Sequence, residues 1–276
     1  MTSTLQHDYA DLGDVRLHYV TAGQGPAIVL LHGWPQTWFM WRDIVPGLAK
    51  KYRVVAPDLR GLGDSSRPEC GYDKKTIAND VWRLMHDVLG EQRFFVVGHD
   101  WGGPTAFSLA AQHREAVRRM VIFDVPVPGD GTPVMFNNRW HHGLHWEIDF
   151  PEELTAGRED VYLGFFYRTW GARPDAISQE AQQEYLRCYR QPGAMRAGFN
   201  FYRATPGQPG LSRAGQTANA DPLLRWGEGP GARAAGAGIL AARGHRCPWR
   251  RGRGLRALDS GREAGMGNSG DSEILQ

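Results

Sequence analysis

Gly98-His99-Asp100-Trp101-Gly102 sets one carboxylate between two glycines, straight after the apolar run Phe94-Phe95-Val96-Val97 and ahead of a helix-like stretch from Thr105 to His113. A strand that turns this sharply into a helix holds its central residue in a strained backbone conformation and needs small neighbours. It lifts that side chain above the carboxyl end of a sheet and aims the next amide, that of Trp101, at charge developing there. With aspartate at the centre, the chemistry is attack by a carboxylate on a saturated carbon, giving an alkyl-enzyme ester. The competing reading of the same residues is a glycine-rich turn with a capping aspartate.

The elements that must position Asp100 follow from hydrophobic patterning. Ala27-Ile28-Val29-Leu30-Leu31 is wholly apolar and short, as a strand buried on both faces should be, and Phe94 to Val97 repeats the pattern. Val15 to Val20 reads as a strand at the sheet edge, and Arg53–Ala56 and Arg119–Phe123 as further strands. Thr76 to Leu89 carries apolar residues at helical spacing and stops at Gly90. Strand and helix alternating in this way give a mostly parallel α/β sheet over residues 1–129. Residues 130–204 are aromatic-rich, with helical segments at Glu152–Trp170 and Ser178–Tyr189 and no strand run, which fits an inserted helical lid. Residues 205–276 lack Val, Phe, Tyr and Lys, and Gly, Ala and Arg fill 36 of the 72 positions. That composition reads as a disordered or low-complexity tail.

The chain has 276 residues, 41% of them hydrophobic, enough for a substantial core. A net charge of +2 is too small to argue for nucleic acid or an anionic membrane, and neither is expected as a partner. Cys70, Cys188 and Cys247 are widely spaced and read as free thiols in a reducing cytosol. The polar N-terminus shows no signal peptide, and no apolar run is long enough to span a membrane, so a cytoplasmic location is expected. No phosphate loop, dinucleotide fingerprint or zinc spacing is present, so no cofactor and no metal are expected. The oligomeric state stays open.

Four segments carry a family resemblance: His32-Gly33-Trp34-Pro35, Asp58-Leu59-Arg60-Gly61-Leu62-Gly63-Asp64-Ser65, Gly98-His99-Asp100-Trp101-Gly102-Gly103 and Phe199-Asn200-Phe201-Tyr202-Arg203-Ala204. With them, residues 10–204 resemble the epoxide hydrolase branch of the α/β-hydrolase family, close to the haloalkane dehalogenases. The resemblance implies an α/β-hydrolase sheet with an inserted helical lid. It makes Trp34 the second oxyanion amide beside Trp101, and loss of one such donor typically slows reaction by about 10² to 10³. It assigns the Asp58 segment to turn chemistry. Asp124 matches the family's acid that orients a catalytic histidine, although a loop aspartate capping a turn would look the same. Tyr202 matches the lid phenol that protonates the leaving oxygen, a sensible role for a group with an ordinary pKa near 10. His141, in Trp140-His141-His142, matches a second donor, with a surface lid histidine as the alternative. The implied substrate is a small apolar epoxide or halide. The lid aromatics Trp140, Trp146, Phe165 and Phe166 suit an apolar pocket, and equally suit packing of lid on core.

One expected part is missing. The family places its catalytic histidine in a C-terminal Gly-x-Gly-His-Trp loop, whereas the one histidine here after residue 145 is His245, in Arg243-Gly244-His245-Arg246-Cys247. The last two strands are missing from the same region. Codons such as CAA ACT GCA AAT GCC GAT CCT CTG for Gln216–Leu223, read one base later, spell Lys-Leu-Gln-Met-Pro-Ile-Leu, a strand of the sort the family has after its lid. The same shift over Gly254–Asp259 permits Gly-Cys-Gly-His-Trp-Ile. These coincidences point to a frameshift between about Arg203 and Gly215. The expectation is an epoxide hydrolase-type chain left poorly folded, inactive or able only to trap substrate. The alternatives are a haloalkane or haloacid dehalogenase and an inactive hydrolase-fold binding protein. Resequencing the gene is expected to reveal the shifted base. An unbroken frame in independent reads, with a homologue sharing this tail, overturns a sequencing error as its origin.

Overall fold

The computed structural model describes residues 4–125 and 140–205. Among the described residues, six strands form one sheet in the order β1-β2-β4-β3-β5-β6. They are β1 (Gln6–Asp11), β2 (Arg16–Ala22), β3 (Ala27–Leu31), β4 (Arg53–Pro57), β5 (Phe94–His99) and β6 (Val117–Phe123). β2 runs antiparallel to both β1 and β4, while β3, β4, β5 and β6 pair in parallel. The mostly parallel α/β sheet expected from the sequence is therefore observed.

Every residue of β3 is buried, because the sheet is covered on both faces. Val29 and Leu31 enter one core with Ile77, Val81 and Leu109, whereas Ile28 and Leu30 enter a second with Trp38, Trp41 and Val45. This is the period-two alternation of a strand feeding two apolar layers. Four helical elements belong to this layer: a tight turn at Trp38–Trp41, α1 (Val45–Leu48), α2 (Lys74–Arg83) and α3 (Gly102–Gln112). Five more follow: α4 (Trp140–Trp146), α5 (Phe150–Thr155), α6 (Glu159–Thr169), α7 (Gln179–Tyr189) and α8 (Ala194–Arg203).

The differences from the sequence expectation have local causes. β2 is not the edge strand, because β1 pairs along its outer side. β1 escaped notice since only one of its six residues is buried, leaving no apolar alternation to read. The single helix expected at Glu152–Trp170 divides into α5 and α6 around Gly157, which adopts φ +71°. The helix expected to reach Leu89 ends its regular part at Arg83 and continues as one wider turn, closed by Leu89 N–H donating to the Leu84 carbonyl at 3.0 Å. Cys188 is a free thiol, as expected, and is buried. No described helix is long and apolar enough to cross a membrane. The boundary expected at 129 and 130, the tail from residue 206 on, Cys247 and His245 lie outside the described residues.

Arg60 joins the turn after β4 to α2. Its side chain is 2% exposed, and its Nε and Nη2 donate to the two Asp80 oxygens at 2.7 Å each. Nη2 also reaches Asp14 at 2.6 Å. Burial raises the Asp80 pKa from its ordinary value while Arg60 pulls it down. Removing one partner leaves a buried charge uncompensated. Arg60→Leu is therefore expected to lower unfolding free energy by about 3–5 kcal/mol, read from urea denaturation, whereas Asp14→Asn, at the exposed end, should change it by less than about 1 kcal/mol.

Candidate functional site

Asp100 sits between β5 and α3 with φ +49°, a left-handed conformation that a non-glycine residue adopts at a cost of about 1–3 kcal/mol. Two bonds hold it there: Gly103 N–H donates to the Asp100 carbonyl at 2.8 Å, and Asp100 N–H donates to the Phe123 carbonyl at 3.3 Å. Close packing explains two of the glycines. A Cβ on Gly102 would lie 2.2 Å from the Leu31 carbonyl oxygen, and one on Gly33 would lie 2.3 Å from Asp100 Cβ. The turns after β3 and β5 thus press together, and only glycine admits the contact.

That contact delivers a donor to the carboxylate. The Trp34 amide donates to Asp100 Oδ1 at 2.9 Å. His32 holds the turn in place. Its Nδ1 donates to the Gly33 carbonyl at 2.9 Å, and its Nε2 accepts from the Leu59 amide at 3.1 Å, so the bonding pattern requires the neutral Nδ1–H tautomer. Burial lowers the His32 pKa, against the opposing pull of Asp58. Asp58 is itself buried and accepts from Trp38 N–H at 2.9 Å, Asp64 N–H at 3.0 Å and His18 Nδ1 at 2.7 Å. It is a turn organiser two steps removed from Asp100.

Trp101 follows Asp100 and caps α3. Its ring meets Tyr202 edge-on with centroids 4.9 Å apart, and Trp34 meets the same tyrosine at 5.6 Å. Tyr202, on α8, is 3% exposed. Its neighbour Arg203 fixes the end of that helix by donating to Glu152 Oε1 at 2.8 Å and Asn200 Oδ1 at 3.1 Å, and to the Glu147 carbonyl. His141 is buried rather than on the surface, lying parallel to the Trp34 ring at 6.4 Å and edge-on to Tyr202 at 5.6 Å. The structure therefore gathers Asp100, Trp34, Trp101, Tyr202 and His141 around one another.

Asp124 has a different neighbour. It also adopts a left-handed backbone, φ +62°, and its Oδ2 lies 3.1 Å from His99 Nε2 on an exposed flank of the elbow. The catalytic histidine that Asp124 is expected to orient has no match in this sequence, and His245 lies outside the described residues. Three residues went unnoticed in the sequence. His99 falls inside the Gly98–Gly102 segment, with no role assigned to it. Lys74 lies two residues before the helix start expected at Thr76. His145 is fully buried on α4, bonds Tyr162 Oη through Nε2 at 2.6 Å, and packs on Tyr202 at 4.3 Å. Its four-residue spacing from His141 puts both on one helix face, a signal that was available.

Among the described residues, two clusters have metal-ligand proximity: His18, Asp58 and Asp64, and Asp64, Glu184 and Cys188. Asp58 is already bonded to His18, and Arg187 forks Asp64 at 3.0 and 2.7 Å while also bonding Glu184, so these groups neutralise one another.

Comparison with known proteins gives the fold family. The α/β hydrolase fold family matches residues 26–199. A soluble epoxide hydrolase from Corynebacterium sp. is 41% identical over 213 residues, 73% of this chain and 73% of the relative. A fluoroacetate dehalogenase from Burkholderia sp. is 36% identical over 209 residues, 70% of this chain and 67% of the relative. Among solved structures, the epoxide hydrolase CorEH superposes with TM-score 0.68 at 40% identity, covering 73% of this chain and 74% of that one. Cfl2 from Burkholderia cenocepacia gives 0.67 at 40% identity, covering 72% and 71%.

The buried imidazoles predict a pH effect on stability. Burial lowers the pKa of both His32 and His145 from 6.5, and His145 lies well below it. Below that value the unfolded chain binds protons that the native chain refuses, so stability falls on acidification. Each imidazole that stays neutral contributes a slope of up to about 1.4 kcal/mol per pH unit. Urea midpoints measured between about pH 7 and pH 5 should fall accordingly, and His145→Asn should flatten the decline.

Proposed function

Because this chain belongs to the α/β-hydrolase fold family and is epoxide hydrolase-like, we propose that it opens an epoxide ring by attack of the Asp100 carboxylate. The observation that carries the reading is the 2.9 Å bond from the Trp34 amide to Asp100 Oδ1, which occupies one carboxylate oxygen and leaves Oδ2 to attack. In this reading, Oδ2 forms a bond to a ring carbon while the carbon–oxygen bond of the epoxide breaks. The leaving alkoxide takes the Tyr202 phenolic proton, with His141 as the second donor. Oδ1 becomes the ester carbonyl oxygen, already bonded by the Trp34 amide, and the Trp101 amide serves as the second oxyanion donor. Water then attacks the ester carbon, aided by a histidine oriented by Asp124.

The histidine for that last step is absent from the reading frame of this chain, so we read the ester as persistent. Residues 1–129 are taken as the core, 130–204 as the lid and 205–276 as an aberrant tail. The rings around Tyr202, those of Trp34, His141 and Trp101, favour a small apolar substrate. The cytoplasm remains the proposed location. A second reading, dehalogenation, is favoured by one observation: the buried Trp101 Nε1 has no partner among the described residues, and an indole N–H suits a halide.

Incubation with a small terminal epoxide such as styrene oxide should add one epoxide mass to the peptide containing Asp100, and Asp100→Asn should abolish the adduct. Tyr202→Phe should slow its formation by about 10²- to 10⁴-fold. Chloride release from a haloalkane without an epoxide adduct would favour dehalogenation. A folded chain that gives neither would support a binding protein and overturn the enzymatic reading.

A further inference from the structure

Lys74 is misplaced by the ordinary rules of helices. It is the first residue of α2, directly after the N-cap Asp73, whose side chain accepts from the Thr76 amide at 3.0 Å. The positive end of a helix dipole disfavours a cation there. Lys74 turns inward, unlike its exposed neighbour Lys75. Its Nζ stands 3.8 Å above the Trp101 ring centroid and 4.9 Å from that of Phe201, and it donates to the Phe201 carbonyl at 3.4 Å. Trp101 adjoins Asp100, and Phe201 adjoins Tyr202. One ammonium group therefore touches both halves of the site.

Resting on the epoxide-opening reading above, we infer that Lys74 is a positioning residue. Its ammonium ties the elbow residue Trp101 to the α8 backbone beside Tyr202, and it places a positive charge within electrostatic reach of Asp100. A cation over an indole is held by the ring's negative face and loses that hold when it becomes neutral. The fixed distance between Trp101 and Tyr202 then depends on the charge state of Lys74.

The surroundings define that charge state. Burial pushes the Lys74 pKa down to about 7, while Asp100 and Asp73 oppose the fall. α3, packed against α2, carries no charged side chain. On α2 itself, Asp80 is committed to Arg60, and Lys75 and Arg83 are the other charges. From α8, Arg203 is committed to Glu152, and Arg196 to Asp149. From α4, His142 approaches Trp101 at 6.5 Å, and His99 flanks the elbow. Below about pH 7 the clamp is cationic and closed, and above it the amine is neutral and the clamp loosens.

Two measurements on the full chain test this. The first is the pH dependence of Lys74 acetylation by acetic anhydride, read by peptide mass spectrometry, which needs no epoxide chemistry. An apparent pKa about 7 is expected, moving lower in Asp100→Asn, because the variant loses a charge that favours the ammonium. An ordinary lysine pKa, or no shift in Asp100→Asn, overturns the placement. The second is the rate of adduct formation on Asp100. The wild-type rate should fall as pH rises through about 7. Lys74→Met should be about tenfold slower at acidic pH and lack that step, while Lys74→Arg should keep the faster rate across the range. Imidazoles also titrate near neutrality, so the decisive comparison is between variants. A Lys74→Met profile that overlays the wild type overturns the positioning role. If no adduct forms at any pH, the epoxide reading fails, and the acetylation result alone decides whether Lys74 lies where the inference puts it.

Discussion

The site depends on two backbone turns brought closer than side chains normally permit. Gly33 lies against Asp100, and Gly102 against Leu31, at distances where a Cβ would collide with its neighbour. That approach lets the Trp34 amide reach the Asp100 carboxylate. It also forces Asp100 into a left-handed conformation, and the stored strain is sustained by bonds from Gly103 and to Phe123. The two apolar cores on either side of β3 resist relaxation of this geometry, because a close-packed interior cannot give way by a few tenths of an ångström without opening a void.

Around that contact the polar groups form an ordered hierarchy. His32 fixes the carbonyl of Gly33, Asp58 gathers the amides of Trp38 and Asp64, and Arg60 locks the following turn onto α2 through Asp80. Each is almost wholly removed from water, so each must find its partner inside the protein. The result is a rigid floor under Asp100. The roof is built differently, from rings stacked edge to face, with Tyr202 touching Trp34, Trp101, His141 and His145.

The floor was largely legible in the sequence, because its signals are local. Short apolar runs announced β3 and β5, and flanking glycines announced the turn at Asp100. β1 was not legible, since an exposed edge strand needs no apolar face. The division between α5 and α6 was missed because a lone glycine inside a helical pattern is usually tolerated. In the roof, Tyr202 and His141 were found through motif resemblance. His145 takes its place from the packing of α4 against α8, and Lys74 from the approach of α2 to Trp101 and Phe201. Neither distance can be read from neighbours in the chain.

The fork between Arg187 and Asp64 gives the two layers unequal sensitivity to their surroundings. It links α7 to the turn whose amide feeds Asp58, yet its partners are 45% and 30% exposed, so mobile ions can screen it. The Arg60–Asp80 pair, 2% exposed on both sides, is shielded from them. Ionic strength therefore acts on the joint between helical cap and sheet while leaving the sheet's own fastening untouched. In a concentrated salt solution the cap would be the looser body, and the cradle of Asp100 would keep its shape.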